Sequence, residues 1–245
     1  MNKFRFLSGN AIKIIGAVTM LIDHLGLILF PEYEILRIIG RIAFPLFAFM
    51  ISEGARYTKS KWKYLGIIAL FGVLCQLPMI ILFWDFHLNV FVTFTLSIIG
   101  IYALDYFKKQ AFAKERRHLS VLLGVLACIG AFFVIYASTR DVFFHVDYGF
   151  YGALTPVFAS LLSTRGVSAP PALVKADSVP LRVICMAIPQ LMFAYITGGI
   201  QYYSLIALIP LLMYSGKRGL FNLKYFFYIF YPTHLVLLYG IYLFI

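Results

Sequence analysis

Nine long apolar runs, separated by short polar segments, dominate the pattern of hydrophobic positions along the chain. A helix needs about 20 predominantly apolar residues to cross a bilayer, and most of these runs approach that length. We therefore predict an all-α, polytopic membrane protein with about nine transmembrane helices, plus at most one further re-entrant or missed helix. The predicted spans are 11–30, 35–55, 64–83, 89–107, 119–137, 148–163, 181–197, 199–214 and 225–244.

Composition agrees with this pattern and narrows the class of protein. Hydrophobic residues make up 62% of the 245 residues and charged residues only 13%, whereas a soluble domain carries about 25% charged residues. A soluble globular protein, a disordered chain and a coiled coil are excluded. We predict a single integral-membrane domain over residues 1–245, in which segment 164–180 is the one linker-like stretch.

The basic residues predict the orientation in the membrane. Of the 21 Lys and Arg residues, 17 lie in alternate connecting segments on one side; this count includes Arg182, which is assigned to the inner segment 164–182 at the border of the seventh span. Arg140 alone lies on the other side, and Lys13, Arg37 and Arg41 lie within spans. By the positive-inside rule, the N-terminus is inside and the C-terminus outside. The net charge of +11 is thus mainly a topology signal, so nucleic acid is not a predicted partner. The basic inner rim remains suited to anionic lipids or a phosphorylated cofactor.

Ionisable residues inside membrane spans are costly and usually line a cavity or pair with one another. The first span contains Lys13, Asp23 and His24. Lys13 and His24 are eleven residues apart, which places them on one helix face and about 16 Å apart along the axis. The alternatives are purely structural roles: Lys13 could extend to the lipid headgroups, and His24 could form a hydrogen bond between helices.

Two further spans carry candidate polar residues. Arg37 and Arg41 are four residues apart and therefore share a face of the second span. Their partners are either carboxylates of the chain (Asp23, Glu34 or Asp147) or a phosphate, pyrophosphate or carboxylate of a ligand. His234 follows Pro232 near the middle of the last span. Asn89 and Asp147 are predicted helix N-caps.

Intramembrane histidines with a nearby carboxylate suit general base catalysis on a phosphorylated donor. We predict direct transfer with His24 as base, Asp23 orienting it where geometry allows, and His234 sharing the work. The three cysteines have no metal-ligand spacing, so no metal is predicted. Two alternatives stay open: a small proton-coupled transporter or exporter using the same Asp, His and Arg residues, and a structural or assembly subunit.

Five stretches of the sequence resemble the TraX family, and the most specific is Arg-Ile-Ile-Gly-Arg-Ile-Ala-Phe-Pro-Leu-Phe, from Arg37 to Phe47. The resemblance runs through Lys13–His24, Arg37–Gly54, Leu88–Leu96, Asp147–Gly149 and Phe227–His234. The family's namesake is associated with N-acetylation of conjugative pilin, and the family is similar to the wider transmembrane acyltransferases. In those proteins a basic residue and a histidine of helix 1 are separated by ten residues, as are Lys13 and His24.

The resemblance implies a multi-pass protein of the bacterial inner (plasma) membrane that transfers acetyl from cytoplasmic acetyl-CoA to an acceptor at the outer side. The acceptor is a pilin-like peptide N-terminus, an amino sugar or a glycan hydroxyl; membrane lipids surround the protein, and its oligomeric state is unknown. We assign His24, Asp23 and His234 to catalysis. Lys13, Arg37 and Arg41 are assigned to the cofactor, and Glu53, Asn89 and Asp147 to the substrate.

Overall fold

The computed structural model describes residues 4–84, 86–115, 117–140, 145–220 and 223–244. Within these ranges the chain is helical, without β-strands and with two isolated bridges. The α-helices are α1 (Gly9–Ile28), α2 (Glu34–Gly40), α3 (Ala43–Tyr57), α4 (Lys61–Phe83), α5 (Val90–Ala111), α6 (His118–Thr139), α7 (Gly149–Ala159), α8 (Pro171–Ala176), α9 (Val179–Thr197), α10 (Leu208–Leu212) and α11 (Lys224–Tyr242). A 3-10 helix, Gly199–Ala207, precedes α10.

The prediction of an all-helical polytopic membrane protein is confirmed. Six helical segments among the described residues are long and apolar enough to cross a bilayer: Gly9–Ile28, Glu34–Tyr57, Lys61–Ile81, Val90–Ala111, His118–Thr139 and Val179–Thr197. The other three predicted spans contain shorter helices, namely α7, Gly199–Leu212 and Phe226–Tyr242. The count of nine crossings and the orientation stay predictions.

Two compact units make up the chain. The first comprises Met1–Met50 and Gln190–Ile245, and the second comprises Ile51–Pro189. These units are defined by packing alone and do not test the predicted single membrane domain, which stays a prediction.

Close approach between α1 and α2 organises the first unit. A Cβ atom at Gly26 would lie 2.7 Å from the Cβ of Leu36, and one at Gly40 would overlap the side chain of Asp23. Small residues let membrane helices pack backbone against backbone. The glycines therefore allow α2 to lie directly on the half of α1 that carries Asp23 and His24. On another side α1 contacts α11.

The second unit is built around α5, which contacts α4, α6 and α7. Asn89 is the N-cap of α5, since its side chain accepts a hydrogen bond from the N–H of Phe91 at 3.0 Å; this prediction is confirmed. The predicted capping role of Asp147 is wrong. The helix begins at Gly149, and its N-cap is Tyr148, which has a left-handed backbone (φ 61°) and no capping side-chain bond.

The predicted linker 164–180 is packed against the second unit. It contains α8 and the start of α9, and Asp177 binds Arg56 through two hydrogen bonds of 2.7 and 2.8 Å. The backbone N–H and hydroxyl of Thr164 also donate to Asp177, at 2.9 and 3.0 Å. The stretch is therefore an ordered connection. Its prolines lie at the start of α8 and in the first turn of α9, and its other turn-forming residues lie in the connections on either side of α8.

Candidate functional site

His24 of α1 and His234 of α11 lie against each other in the first unit. The Nε2 atom of His234 is 3.1 Å from the Nδ1 atom of His24, and the ring centroids are 4.8 Å apart at an interplanar angle of 65°. His234 is 4% exposed, and His24 is half-buried. The fold thus brings together two histidines that are 210 positions apart in the chain.

Backbone carbonyls determine which ring nitrogens carry hydrogen. The Nδ1 atom of His24 is 2.9 Å from the carbonyl oxygen of Met20, and the Nδ1 atom of His234 is 2.8 Å from that of Phe230. A carbonyl oxygen only accepts hydrogen bonds, so in the neutral pair both Nδ1 atoms are protonated. The Nδ1–H of His24 is then shared between Met20 and the Nε2 lone pair of His234. Of the two histidines, only Nε2 of His24 then keeps a lone pair that can accept a proton.

Asp23, the residue before His24, is held by two arginines of the next helical segment. Arg37 donates to Oδ2 at 2.7 Å and Arg41 to Oδ1 at 2.6 Å. Of the two kinds of partner considered for these arginines, the structure shows a carboxylate of the chain itself. The carboxylate contacts the arginines rather than the ring of His24. With two cations and one anion, the cluster keeps a net charge of +1.

Two buried glutamines extend this polar cluster, and no sequence motif indicated either of them. The Oε1 atom of Gln201 is 3.5 Å from Nη1 of Arg41, and Nε2 of Gln190 donates to the hydroxyl of Ser204 at 2.7 Å. In a 3-10 helix, side chains three residues apart are eclipsed, so Gln201 and Ser204 share a face. The signal available in the sequence was a pair of amide side chains within apolar helical runs.

Each glutamine leaves one buried polar atom without a hydrogen-bond partner in the described part of the chain: Oε1 of Gln190 and Nε2 of Gln201. The amide of Gln201 is oriented by Arg41, because a guanidinium can only donate and must face the oxygen. The orphaned atom of Gln201 is therefore an N–H donor. Such atoms are rare in native proteins and mark places where water or a ligand binds.

Lys13 lies further along the same side of α1 as His24. Its amino group is 5.5 Å from the ring centroid of Phe227, seven residues before His234 on α11. Both Lys13 and His24 therefore contact α11, which agrees with their predicted position on one face of α1. The contact of Lys13 is a cation–π interaction, which leaves its three hydrogen-bond donors for other groups.

Comparison with known families agrees with the sequence motifs. The family described as "TraX protein" matches residues 8–242. The chain belongs to the TraX family. The match extends from the first turn of α1 to the end of α11, and so it includes both histidines and the Asp23 cluster.

Two curated proteins resemble this TraX chain. One is "Probable fimbrial assembly protein FimC, serogroup H1" from Dichelobacter nodosus, which is 28% identical over 251 residues, covering 93% of this chain and 92% of that protein. The other is an uncharacterised protein of Rickettsia prowazekii strain Madrid E, 39% identical over 92 residues, which are 37% of this chain and 35% of that protein. No solved structure matches the chain significantly.

The three predicted substrate residues of the TraX chain lie in the second unit and have local contacts there. Glu53 accepts a hydrogen bond of 2.5 Å from Arg182, and the side-chain amide of Asn89 donates to the carbonyl oxygen of Gly72 at 2.9 Å. The backbone carbonyl of Asp147 accepts from the hydroxyl of Thr93 at 2.5 Å. Their roles in substrate binding stay predictions.

Arg182 is a further residue whose role the sequence did not indicate. It is counted among the basic residues of the connecting segments, and in the structure it lies in the first turn of α9 and is 1% exposed. Besides Glu53, it donates to the hydroxyl of Ser52 at 3.1 Å and to the carbonyl oxygen of Ala159 at 2.8 Å. Its bonds link three segments of the second unit. Among the residues that the structure describes, no group of three or more His, Cys, Asp or Glu is arranged to hold a metal ion.

Proposed function

We propose that this member of the TraX family is a membrane acetyltransferase that moves acetyl from acetyl-CoA to an amino or hydroxyl group of an acceptor. The observation that carries the proposal is the hydrogen-bonded pair of His24 and His234, because it leaves one defined basic nitrogen within an apolar helical protein. A histidine in such a position serves as a general base when its lone pair is oriented by a second group.

The proposed step is a direct transfer. Nε2 of His24 takes the proton of the acceptor amine or hydroxyl while the acceptor atom forms a bond to the thioester carbonyl carbon. The carbon–sulfur bond then breaks, and the CoA thiolate leaves and takes the proton back from His24. The Nδ1–H bond to His234 stabilises the imidazolium that His24 forms between these events, so we assign His234 as a positioning residue.

The Asp23 cluster has a different role in this proposal. Since both carboxylate oxygens of Asp23 are bound by arginines, Asp23 fixes the end of α1 that carries His24 against α2. The excess positive charge of the cluster favours an acidic group nearby. In the predicted topology Arg37 and Arg41 lie toward the outer side, which favours the acceptor over the donor phosphates as that acidic group.

The relatives favour one class of acceptor. The similarity to the probable fimbrial assembly protein of Dichelobacter nodosus covers nearly the whole chain, and the name of that protein supports a role for this chain in pilus assembly. We therefore propose the N-terminus of a pilin-like peptide as the first acceptor to test. Amino sugars and glycan hydroxyls follow, because the same base could deprotonate either group.

Purified full-length protein and radiolabelled acetyl-CoA test the proposal. We expect acetyl transfer or thioester hydrolysis, and His24→Ala should reduce kcat by about 10²–10⁴ because it removes the general base. His234→Ala should also reduce kcat, whereas His234→Gln, which can still accept the Nδ1–H bond, should retain more activity. His118→Ala, at the exposed start of α6, is the matched control and should retain wild-type activity.

Two results would contradict the proposal in different ways. Absence of both acetyl-CoA binding and turnover in the wild-type protein would exclude the acetyltransferase. Turnover that His24→Ala leaves unchanged would exclude His24 as the base.

A proton-coupled transporter is a second candidate, because a hydrogen-bonded histidine pair inside a membrane protein could also carry a proton. That function predicts substrate-dependent proton uptake into liposomes containing the protein, without any dependence on acetyl-CoA. A proton flux that His24→Ala abolishes, in a protein that does not bind acetyl-CoA, would favour the transporter.

A further inference from the structure

The segment from Met213 to Gly219 is bound along the start of α1 by main-chain hydrogen bonds. The N–H of Leu7 donates to the carbonyl of Met213 at 3.0 Å, and that of Ser215 donates to Leu7 at 2.8 Å. The N–H groups of Gly9 and Asn10 donate to the carbonyls of Lys217 and Arg218, at 2.7 and 2.9 Å. We call residues Gly216–Gly219 the cationic loop.

Two glycines fix the shape of the cationic loop. Gly216 and Gly219 have φ angles of 77° and 102°, in the region that residues with a Cβ atom avoid. A Cβ atom at Gly219 would also lie 2.9 Å from the hydroxyl oxygen of Ser8. The loop is thus closely packed on the N-cap of α1 and has a defined conformation.

The hydrogen bonds from α1 to the cationic loop are accepted by main-chain carbonyls of the loop. The carbonyls of Lys217 and Arg218 face α1, and both residues are exposed. The first N–H groups of α1 are already used, since Gly9 and Asn10 bind the loop and Ala11 binds the hydroxyl of Ser8. An anion at this end would therefore be bound by side chains rather than by the helix terminus.

Four cations gather at this end of the first unit. Lys13 is three residues after Asn10, whose N–H binds the carbonyl of Arg218, and Arg5 is held beside the loop by a 3.0 Å bond from its Nε to the carbonyl of Tyr214. Like charges held together in this way by the fold attract a multivalent anion.

The acidic residues of the first unit do not lie at this end. In the sequence of this unit they are Asp23, Glu32 and Glu34. Asp23 is ten residues, or about 15 Å, beyond Lys13 along α1, and it is bound by two arginines. Glu32 and Glu34 come after the end of α1. Within this unit, the acidic side chains are therefore confined to the other half of α1 and to the residues that follow it.

We propose that Lys217 and Arg218, together with Lys13 and Arg5, form a binding site for the phosphate groups of a nucleotide, and that this nucleotide is part of the acyl donor. The second clause rests on the proposed function. Lys and Arg bind phosphate through charge and multiple hydrogen bonds. From Lys13 the same face of α1 leads over about 16 Å to His24. A linear arm between phosphates and acyl group would follow this path.

Binding of coenzyme A, pantetheine and inorganic pyrophosphate to the full-length protein in detergent tests the site. The double variant Lys217→Gln/Arg218→Gln should weaken CoA binding at least about tenfold, since it removes two charged hydrogen-bond donors. Pantetheine, which lacks the phosphates, should bind the wild type and the variant equally. Pyrophosphate should compete with CoA in the wild type.

The matched control removes the same charge elsewhere. Lys63→Gln/Lys175→Gln changes two exposed lysines of the second unit and should leave CoA binding unchanged. Elution volume and thermal midpoint should be the same for both double variants, because the hydrogen bonds from Gly9 and Asn10 to the loop are accepted by main-chain carbonyls that the substitutions keep. Equal weakening in the two double variants, or no weakening in either, would overturn the site.

Two further outcomes separate this inference from the proposed function. If pyrophosphate binds through Lys217 and Arg218 but CoA does not bind at all, the phosphate site stands and the acetyl-CoA donor is wrong. Nanodiscs of phosphatidylglycerol and of phosphatidylcholine test a lipid source of the phosphate. If the double variant changes only the preference for phosphatidylglycerol and leaves CoA affinity intact, the nucleotide assignment is overturned.

Discussion

Gln201 and Gln76 are both buried, but their side chains differ in hydrogen bonding. This difference predicts different effects when each is replaced. Gln76 accepts hydrogen bonds from the backbone and side-chain N–H groups of Asn89, at 3.0 and 3.1 Å. Gln201 has one long contact to Arg41 and an orphaned N–H. Removing a satisfied acceptor leaves its donors unpaired, whereas removing an orphaned donor removes a cost already present.

We therefore expect opposite results from the same substitution. Gln76→Leu should lower the free energy of unfolding by about 1–3 kcal/mol, and Gln201→Leu should leave it unchanged or raise it. Thermal unfolding of each variant in detergent measures the difference. A large loss of stability in Gln201→Leu would contradict this expectation and would mean that the contact with Arg41, or a group bound to the N–H of Gln201, stabilises the protein.

At the level of single residues, the sequence identified ionisable groups inside the membrane spans but not the contacts that these groups make. Lys13, Asp23, His24 and His234 were identifiable because ionisable groups are rare in membrane spans. The pairing of His24 with His234 was not, since the helical periods of α1 and α11 give each face but not which helix it meets. The protonation pattern of the pair depends on two carbonyls that no sequence motif marks.

Helix packing between α1 and α2 depends on Gly40, which lies directly against Asp23. Gly40→Ala would place a methyl group where the Asp23 side chain is, and such overpacking costs about 1–3 kcal/mol. Gly66→Ala in α4, where a Cβ atom would meet nothing within 4 Å, should instead stabilise the protein by up to about 1 kcal/mol through helix propensity. Thermal midpoints of the two variants measure both effects. Equal midpoints would contradict this account of the α1–α2 contact.

The connection between α8 and α9 predicts a dependence of stability on pH. Burial alone would raise the pKa of Asp177, but the hydrogen bonds from Thr164 and the charge of Arg56 outweigh it and hold the pKa below its ordinary value of 3.8. A carboxyl whose pKa is lower in the folded protein stabilises it above the ordinary pKa, and this contribution is lost as pH falls below that value. The loss should occur below about pH 4.

Thermal unfolding of the wild type and of Asp177→Asn at pH 7, 5 and 3 measures this contribution. The two proteins should differ in midpoint at pH 7 and at pH 5, and the difference should become smaller at pH 3. A difference that stays constant over this range would show that the charge of Asp177 contributes nothing.

Of the nine predicted spans, the sixth contains the helix that least resembles a complete membrane crossing. α7 has 11 residues, or about 16 Å of helix, against a hydrocarbon core of about 30 Å. Gly199–Leu212 is also short in residues, but its 3-10 part rises about 2 Å per residue and brings it to roughly 25 Å. A hydropathy average over a window of sequence does not distinguish these two segments, because it takes no account of the rise per residue, which is larger in a 3-10 helix than in an α-helix.

Single cysteines on either side of α7 test the topology of the whole molecule. Arg140→Cys and Arg165→Cys, each in a protein lacking Cys75, Cys128 and Cys185, replace exposed residues. In intact cells a membrane-impermeant maleimide should label Arg140→Cys and not Arg165→Cys, as the distribution of basic residues predicts. Labelling of both would mean that α7 does not cross, and the orientation of every later segment would be reversed.

The fold class was predictable from the sequence because hydrophobic length is a sufficient signal for membrane helices. Helix boundaries were predictable where a local sequence signal, such as a pair of glycines, ends a helix. Gly198 and Gly199, both at positive φ, separate α9 from the 3-10 helix at the predicted position. The packed linker and the buried Arg182 were not predictable, since their contacts join residues more than 100 positions apart.

The distance of 210 positions between His24 and His234 also sets an order of events during synthesis. At about 5–20 residues per second, roughly 10–40 s pass between the appearance of the first histidine and that of the second. Throughout that interval His24 is in a chain that lacks its hydrogen-bond partner. The His24–His234 pair therefore forms only after α11 has been inserted, so a chain that ends before α11 lacks the pair.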